Sequence, residues 1–326
     1  DSFRITESSN IYRSSITSYK SKNQPFNYDA KSTTSTPPFF GFSQKYLDYT
    51  VAFTLLIPKS ETYNQNSTIS DTFTNLDGFN DHYLFGSSIA STYNDQLSIG
   101  LSLFYSQENR NSILNIFNSG NSTQLNQYNK SKTTELLGIF GIQWMPNETI
   151  SFGSAFKYAI PLSSSETEQT IINTLSNAFI VKKNYNLKSD GYQTNQNSLT
   201  IGCAYIFSPF TILSMDISHG FKSSSQLLPK TDTINYAIGL EHYLKPNIPL
   251  RFGFYTNNSY FPKSNDGDHF DALGYSASIG IDNGINSISV GIDYQAGSGF
   301  QTENSQKVLD IQYQSLAFVL SASSQL

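Results

Sequence analysis

Residues 150–160 read Ile150-Ser-Phe-Gly-Ser-Ala-Phe-Lys-Tyr-Ala-Ile160, and this stretch decides the fold. Apolar residues occupy every second position, with Ser154 as the one polar interruption, and Ser, Gly, Ala and Lys fill the positions between them. A period of two is typical of a β-strand, whereas helical spacing would place the glycine and the lysine within the apolar stripe. The stretch therefore predicts a strand with one apolar face and one face of small and polar residues, which we call the small-residue face.

The same alternation recurs in residues 199–207, 213–219 and 288–295. Such strands occur in soluble sandwiches and barrels, whose apolar face points inward, and in membrane barrels, whose apolar face points to lipid. Recurrent Ser, Gly, Asp, Lys and Gln on the small-residue face favour the membrane barrel, because the exposed face of a soluble sheet is usually rich in Lys, Glu and Thr. Aromatic residues at the predicted strand ends are typical of interfacial girdles: Tyr46, Tyr49, Tyr93, Trp144, Phe207, Phe210 and Tyr243.

The alternation and the turn residues between the segments predict an all-β protein, a 14-stranded antiparallel transmembrane β-barrel of the outer-membrane type. The predicted strands cover about residues 9–20, 36–46, 49–57, 81–93, 96–108, 132–145, 149–160, 195–207, 210–221, 232–244, 248–258, 271–282, 286–297 and 308–324. Tight turns rich in Pro, Asn, Asp and Gly connect them on one side, at 47–48, 94–95, 146–148, 208–209, 245–247 and 283–285. Longer, irregular polar loops are expected on the other side, at 21–35, 58–80, 109–131, 161–194, 222–231, 259–270 and 298–307.

Composition excludes several other classes of protein. The 326 residues are 38% hydrophobic but only 14% charged, and no apolar run approaches the roughly 18 residues of a membrane-spanning helix. The net charge of -5 comes without a basic stripe, so no nucleic-acid partner is expected. Without a linker or a composition break, residues 1–326 are predicted to form a single barrel domain.

Several strand-turn-strand units resemble the FadL family of outer-membrane transporters for hydrophobic compounds. The stretches that carry the resemblance are Gly141–Gly153, Leu199–Tyr205, Tyr236–Tyr243, Ile248–Asn257, Gly274–Gly280 and Pro37-Pro-Phe-Phe-Gly41. The resemblance implies a channel for passive uptake of small hydrophobic compounds, such as fatty acids or aromatic hydrocarbons, which enter from outside and leave through the barrel wall. The family also has an N-terminal hatch marked by Asn-Pro-Ala. This sequence has no Asn-Pro-Ala, so we expect that hatch to be missing from the given chain.

The predicted location is the outer membrane of a Gram-negative bacterium, with many membrane passes and both termini periplasmic. The expected partners are outer-membrane lipid, lipopolysaccharide and a hydrophobic small molecule. An alternative reading is a FadL-like barrel that does not transport and instead serves as a docking or structural subunit of an outer-membrane or secretion assembly, with other outer-membrane subunits as partners.

Residues on the small-residue face are candidates for lining the lumen. Charges facing lipid near the midplane would cost about 2–4 kcal/mol, so charged side chains are expected inside. Lys157, Asp216, Glu241 and Arg251 are predicted to lie on neighbouring strands, where they either stiffen the barrel as an ion network or meet a ligand carboxylate. Apolar residues on the same face are the candidates for binding a hydrophobic substrate or for packing against a plug: Phe104, Leu137, Ile139, Ile206, Tyr243 and Tyr255.

The family resemblance places a lateral gate at the third strand, which here ends at Pro58. Phe53, Leu55, Ile57 and Pro58 are the predicted gate residues, because a proline has no N–H to donate to the neighbouring strand. The alternative is that the proline simply ends its strand at the outer rim.

Enzymatic activity is not expected. Ser218 and His219 are adjacent in a strand and therefore point to opposite faces. No two of the four histidines have metal-ligand spacing, so neither a metal nor a cofactor is predicted.

Overall fold

The structure is a computed structural model of the 326-residue chain. It describes residues 3–8, 11–21, 27–36, 39–69, 71–94, 96–120, 122–174, 178–187, 195–223, 230–261, 267–303 and 306–325. In these ranges, no helix is long and apolar enough to cross a membrane.

All the regular structure in the described ranges is β, in seventeen strands. Their bounds are β1 Phe3–Ser8, β2 Ile11–Ser21, β3 Asn27–Thr36, β4 Phe39–Tyr46, β5 Tyr49–Ile69, β6 Thr72–Tyr93, β7 Leu97–Asn118, β8 Thr123–Asn147, β9 Ile150–Asn173, β10 Ala178–Leu187, β11 Ser198–Ser208, β12 Thr211–Gly220, β13 Thr233–Lys245, β14 Ile248–Asn257, β15 Gly267–Asp282, β16 Asn286–Glu303 and β17 Gln306–Gln325.

The strands form one antiparallel sheet in which most strands pair with their neighbours in sequence. The count exceeds the expected fourteen because β1, β3 and β10 lie outside the predicted strands, β3 largely in the expected loop 21–35 and β10 in the expected loop 161–194, so these loop predictions are wrong there. β1 and β2 both pair with β17, β3 and β4 both pair with β5, and β10 and β11 both pair with β9. The all-β, antiparallel class is confirmed.

The predicted tight turns are present at one end of the sheet. Leu47 has φ 53° and Asn94 has φ 50°, and Gly284 has φ 83°. The left-handed region suits Gly and Asn, which explains the turn chemistry read from the sequence. Asn147 Oδ1 accepts hydrogen bonds from the backbone N–H groups of Thr149 (3.0 Å) and Ile150 (2.9 Å), closing the turn that Pro146 enters.

The expected irregular loops at 58–80, 109–131 and 161–194 are wrong for most of their length. β5 continues to Ile69 and β6 begins at Thr72, and β8 is 25 residues long. These stretches are polar, so they lack the apolar alternation used to predict strands, but Thr, Tyr, Ile and Val within them favour extended backbone. The antiparallel ladder satisfies their backbone groups, so the hairpins continue beyond the apolar zone.

Burial separates the two faces of the sheet. Ile99, Leu101 and Leu103 on the apolar face of β7 are exposed, whereas Ser106 and Glu108 on its small-residue face are buried. The packed interior of the molecule therefore lies on the small-residue face, and the apolar face looks outward.

Candidate functional site

Three layers follow one another along the small-residue face of β7 and β8, counted from the tight-turn end. The first layer is a cavity bordered by Gly100 and Gly141. The second is an apolar cluster that includes Phe104 and Leu137. The third is a layer of buried charged and polar side chains, in which Glu135 is 0% exposed. The alternation of each strand sets this order, because every second residue enters the next layer.

The first layer encloses about 510 Å³. Its walls are mostly glycine and small hydroxyl residues from five strands, because such side chains leave space on the inner side of the sheet. Asp216 is the charged residue of its lining, and its carboxylate lies against Gly202, its cross-strand partner. A side chain at Gly202 would collide with that carboxylate.

The second layer brings together three of the six predicted apolar residues. Leu84, Leu137 and Ala159 are buried in contact with one another, and Leu56, Phe104 and Ile139 pack against them. Phe104, Leu137 and Ile139 were predicted from the sequence, whereas Leu56, Leu84 and Ala159 were not. Leu84 and Ala159 lie on the same face of their strands, so residue alternation could have identified them.

The other three predicted residues, Ile206, Tyr243 and Tyr255, lie elsewhere on the small-residue face. Ile206 pairs with Ile212 near a tight turn, and Tyr243 contacts Glu241. Tyr255 donates a hydrogen bond to Asp293 Oδ2 (2.6 Å) and accepts one from Gln295 Nε2 (2.6 Å). The structure therefore does not form one continuous apolar path from the six.

The four predicted charges do not form one network. Glu241 and Arg251 are direct cross-strand partners and form an ion pair, with Arg251 Nε 2.5 Å from Glu241 Oε2. β11 separates the strand of Lys157 from the strand of Asp216, so the expectation of four neighbouring strands is wrong. Lys157 instead interacts electrostatically with Glu135.

The third layer was largely missed by sequence analysis. Arg110 Nε lies 2.7 Å from Glu108 Oε1, and His82 Nε2 lies 2.8 Å from Ser106 Oγ. Glu135 Oε2 accepts two hydrogen bonds from Asn195, from the backbone N–H (3.1 Å) and from Nδ2 (2.6 Å). Arg110 was missed because the residues from 109 onward were expected to be an outer loop, and Glu108 was the last residue of the predicted strand 96–108. Glu135 lies two residues before Leu137 in β8, so residue alternation would have placed both on the small-residue face.

A segment of the β12–β13 connection lies across this layer. We call residues 221–223 and 230–232 the strap. Ser223 and Lys230 exchange two backbone hydrogen bonds (3.0 and 2.9 Å), and Gln196 Nε2 donates to the carbonyl groups of Phe221 (3.1 Å) and Thr231 (2.9 Å). The Lys230 side chain is 1% exposed, and Nζ lies 4.7 Å from the centre of the Tyr260 ring.

Lys230 interacts electrostatically with charged residues of β7, β8 and β9. Burial lowers the pKa of Lys230 to about 8, and the attraction of Glu135 opposes that shift. Glu108 also attracts the ammonium, whereas Lys157 and Arg110 repel it. Nothing in the sequence marked Lys230 as a site residue, because a lysine in a polar connection is usually exposed to solvent.

The ladder beside the predicted gate is incomplete. β3 pairs with β5 from Lys31↔Asn64 to Thr33↔Thr62, and β4 pairs with β5 from Phe39↔Leu56 onward. Between these stretches, the described residues 34–36 of β3 and 59–61 of β5 form no ladder pairs with each other. On its other edge, β5 has a bulge between Leu56 and Lys59, which contains Ile57 and Pro58.

The gap lies next to the apolar cluster. Leu56, the last residue before the bulge, packs against the cluster, and Phe53 and Leu55 are exposed on the apolar face. Phe53 stacks on Phe42 of β4 with ring centres 5.7 Å apart. Leu56 therefore borders both the apolar cluster and the interruption of the ladder.

Comparison with solved structures identifies the class of fold, that of outer-membrane channels of the FadL type. The toluene transporter TodX of Pseudomonas putida superposes with a TM-score of 0.72 and 13% identity, over 99% of this chain and 90% of that chain. A Pseudomonas aeruginosa FadL homologue gives a TM-score of 0.69 at 10% identity, over 98% and 90% of the two chains. The CymD monoaromatic hydrocarbon channel gives 0.54 at 12% identity, over 100% and 89%.

These likenesses are structural. No family model matches the sequence, and no curated protein matches it. The resemblance to FadL-type proteins expected from the sequence is confirmed at the level of the fold.

Proposed function

We propose that the sheet closes into a fourteen-stranded barrel that spans the outer membrane, with the small-residue face lining its lumen. Two observations support this count. The segments β1 and β2, β3 and β4, and β10 and β11 each continue along the same neighbouring strands, so each pair counts as one strand. The pairs β9–β11 and β17–β2 then join the two halves of the sheet. In this arrangement the tight turns and both termini are periplasmic, and the long hairpins are extracellular.

The barrel is a passive channel for small hydrophobic compounds, such as fatty acids or aromatic hydrocarbons, which enter from outside and leave through the wall. The observation that carries this proposal is the ladder gap beside Leu56. Unpaired backbone groups cannot face hydrocarbon, so the gap either opens toward a wet or ligand-filled lumen or lies above the hydrocarbon zone. Phe104, Leu137 and Ile139 form the apolar surface that the ligand contacts before it reaches the gap.

The remaining predicted site residues have separate roles in this proposal. Phe53, Leu55, Ile57 and Pro58 form the β5 side of the lateral gate. Ile206, Tyr243 and Tyr255 line the lumen away from the exit. The Glu241–Arg251 pair, which adjoins the tight-turn end, stiffens the wall between two strands, whereas Lys157 and Asp216 supply lumen charge at two different levels.

A disulfide across the gap tests the lateral exit. Continuing the register of Thr33↔Thr62 and Phe39↔Leu56 places Ser35 opposite Ser60. We expect Ser35→Cys/Ser60→Cys in a Cys203→Ala background to take up a radiolabelled monoaromatic hydrocarbon about tenfold more slowly after oxidation, and normally after reduction. The matched control is Ala52→Cys/Ser88→Cys, because these residues already face each other in the intact β5–β6 ladder.

The outcomes separate the possible routes. Unchanged uptake with the Ser35–Ser60 disulfide confirmed by mass spectrometry would exclude the lateral exit and leave an axial pore. Uptake no faster than in cells lacking the protein would favour the alternative, a docking or structural subunit of an outer-membrane assembly.

A further inference from the structure

Three neighbouring strands carry buried polar side-chain atoms that have no hydrogen-bond partner. The atoms are Arg13 Nε of β2, Thr34 Oγ1 of β3 and Ser315 Oγ of β17, and none of them makes a hydrogen bond within the part of the chain that the structure describes. Thr34 is the direct cross-strand partner of Arg13. Ser315 is 2% exposed and lies two residues from Ala317, which pairs with Arg13 on its other side. The three groups therefore form one patch, which we call the β2 patch.

The chemistry of the β2 patch favours an anion. All three groups can donate a hydrogen bond, and a buried donor without a partner carries an uncompensated desolvation penalty, so three together indicate a partner that binds there. Tyr12 and Ile16 are exposed on the apolar face of β2, which places Arg13 on the opposite, lumen side of the proposed barrel. Arg13 and Thr34 are only half-buried, so a solute in the lumen can reach them. The planar guanidinium matches the two oxygens of a carboxylate.

A carboxylate on the same wall is already held by other groups. Asp293 pairs with Ala317 and therefore lies two strands from Arg13. Its Oδ2 accepts a hydrogen bond from the Tyr255 hydroxyl (2.6 Å), and its Oδ1 accepts one from Gln295 Nε2 (3.3 Å). Arg13 Nε is left without a partner although this carboxylate is close by.

The β2 patch borders the gap in the ladder of the wall. Thr33↔Thr62 is the last β3–β5 pair before the gap, and Thr34 is the next residue of β3. Leu56 lies at the other end of the gap and packs against the apolar cluster. A ligand that moves from the apolar cluster to the gap therefore comes within reach of the β2 patch.

We propose that Arg13, Thr34 and Ser315 bind a carboxylate group of the ligand on the lumen side of the gap, so that the channel selects apolar organic acids over neutral hydrocarbons. Binding turns the guanidinium toward the carboxylate and gives the covered Nε a partner. This inference rests on the proposed uptake channel and assigns the group by which it recognises its ligand.

The test is equilibrium dialysis of the full chain in lipid nanodiscs at neutral pH, with radiolabelled benzoate or toluene as the probe and empty nanodiscs as the blank. The two probes share a ring and differ in a carboxylate against a methyl group. Arg13→Gln should weaken benzoate binding by about tenfold or more and change toluene binding by less than about twofold. Arg13→Lys keeps the charge but not the planar fork, so it should retain part of the benzoate affinity. Thr34→Val keeps the shape of the side chain and should weaken benzoate binding by about threefold.

Arg4→Gln is the matched control, because it makes the same chemical change at an exposed arginine of β1. Heat-modifiable migration in gels confirms that each variant is folded. Three results would overturn the site: a folded Arg13→Gln protein that binds benzoate like the wild type, equal weakening of both probes, or a wild type that does not prefer benzoate. Each can occur while the Ser35–Ser60 disulfide still slows hydrocarbon uptake, and benzoate can bind where that disulfide changes nothing. Failure of the carboxylate site and failure of the uptake proposal are therefore distinguishable.

Discussion

Replacing Ile201 with arginine tests the assignment of the two faces most directly. Ile201 is 57% exposed on the apolar face of β11, between Ser154 of β9 and Ile217 of β12. It lies six residues before Phe207, an exposed aromatic residue at the tight-turn end of the same strand. At about 3.4 Å per residue and a tilt of about 40°, that separation is roughly 15 Å of depth. The apolar band of such barrels is about 25 Å tall, so Ile201 is close to its midplane.

At that depth, Ile201→Arg should destabilise the bilayer-inserted state by about 2–4 kcal/mol. Thr200 is the neighbouring residue on the small-residue face and lines the 510 Å³ cavity. Thr200→Arg should therefore cost well below 1 kcal/mol, because the guanidinium enters space rather than lipid. Phe152 also lies on the apolar face and stacks on Trp144, with ring centres 5.8 Å apart. It pairs with Cys203, four residues before Phe207, which places it at about 10 Å of depth on the same scale. Phe152→Arg should therefore also cost about 2–4 kcal/mol.

The measurement is the reversible urea titration of folding into phosphatidylcholine vesicles, followed by tryptophan fluorescence or by heat-modifiable migration. Ile201→Ala separates the loss of the apolar side chain from the cost of the charge. Equal free-energy losses for Ile201→Arg and Thr200→Arg would mean that the faces are assigned wrongly. A loss for Phe152→Arg far below that for Ile201→Arg would contradict the depth derived from β11.

Two further predictions address the ion pair and the hairpins. In a double-mutant cycle, Glu241→Gln and Arg251→Gln should show a coupling free energy of about 0.2–1 kcal/mol, since the Arg251 side chain is 42% exposed; additive losses would show that the pair contributes nothing. Protease added to intact cells should cut near Gly120, in the turn between β7 and β8, and spare the turns at Pro146 and Pro209; cleavage at those two prolines would place the tight turns outside the cell.

Most of the correct predictions came from the alternation of apolar and small residues along the strands. Phe104, Leu137 and Ile139 were assigned to one face from parity alone, and the structure packs them into a single cluster. The all-β class and the tight turns followed from the same local signals, because side-chain alternation and turn geometry depend on adjacent residues. The lengths of the hairpins could not be predicted from these signals, because a strand in water needs no apolar face to complete its hydrogen-bond ladder.

Contacts between distant parts of the chain were beyond that reasoning. Lys230 interacts electrostatically with Glu135 although the two residues are far apart in sequence, and no local pattern marks either as the partner of the other. The ladder gap is similar, because Pro58 signals a missing N–H but does not say on which edge of β5 the pairing fails. The described pairs place the gap on the β3 and β4 side of β5.

The length of β8 has a consequence for how a solute meets this protein. A 25-residue strand is about 85 Å long, more than twice what a tilted strand needs to cross the hydrocarbon. In the proposed orientation the excess stands above the membrane as a stiff wall rich in Asn, Gln, Ser and Thr. An apolar solute would gain little by partitioning onto such a surface, so its concentration would rise only once it has descended to the apolar cluster.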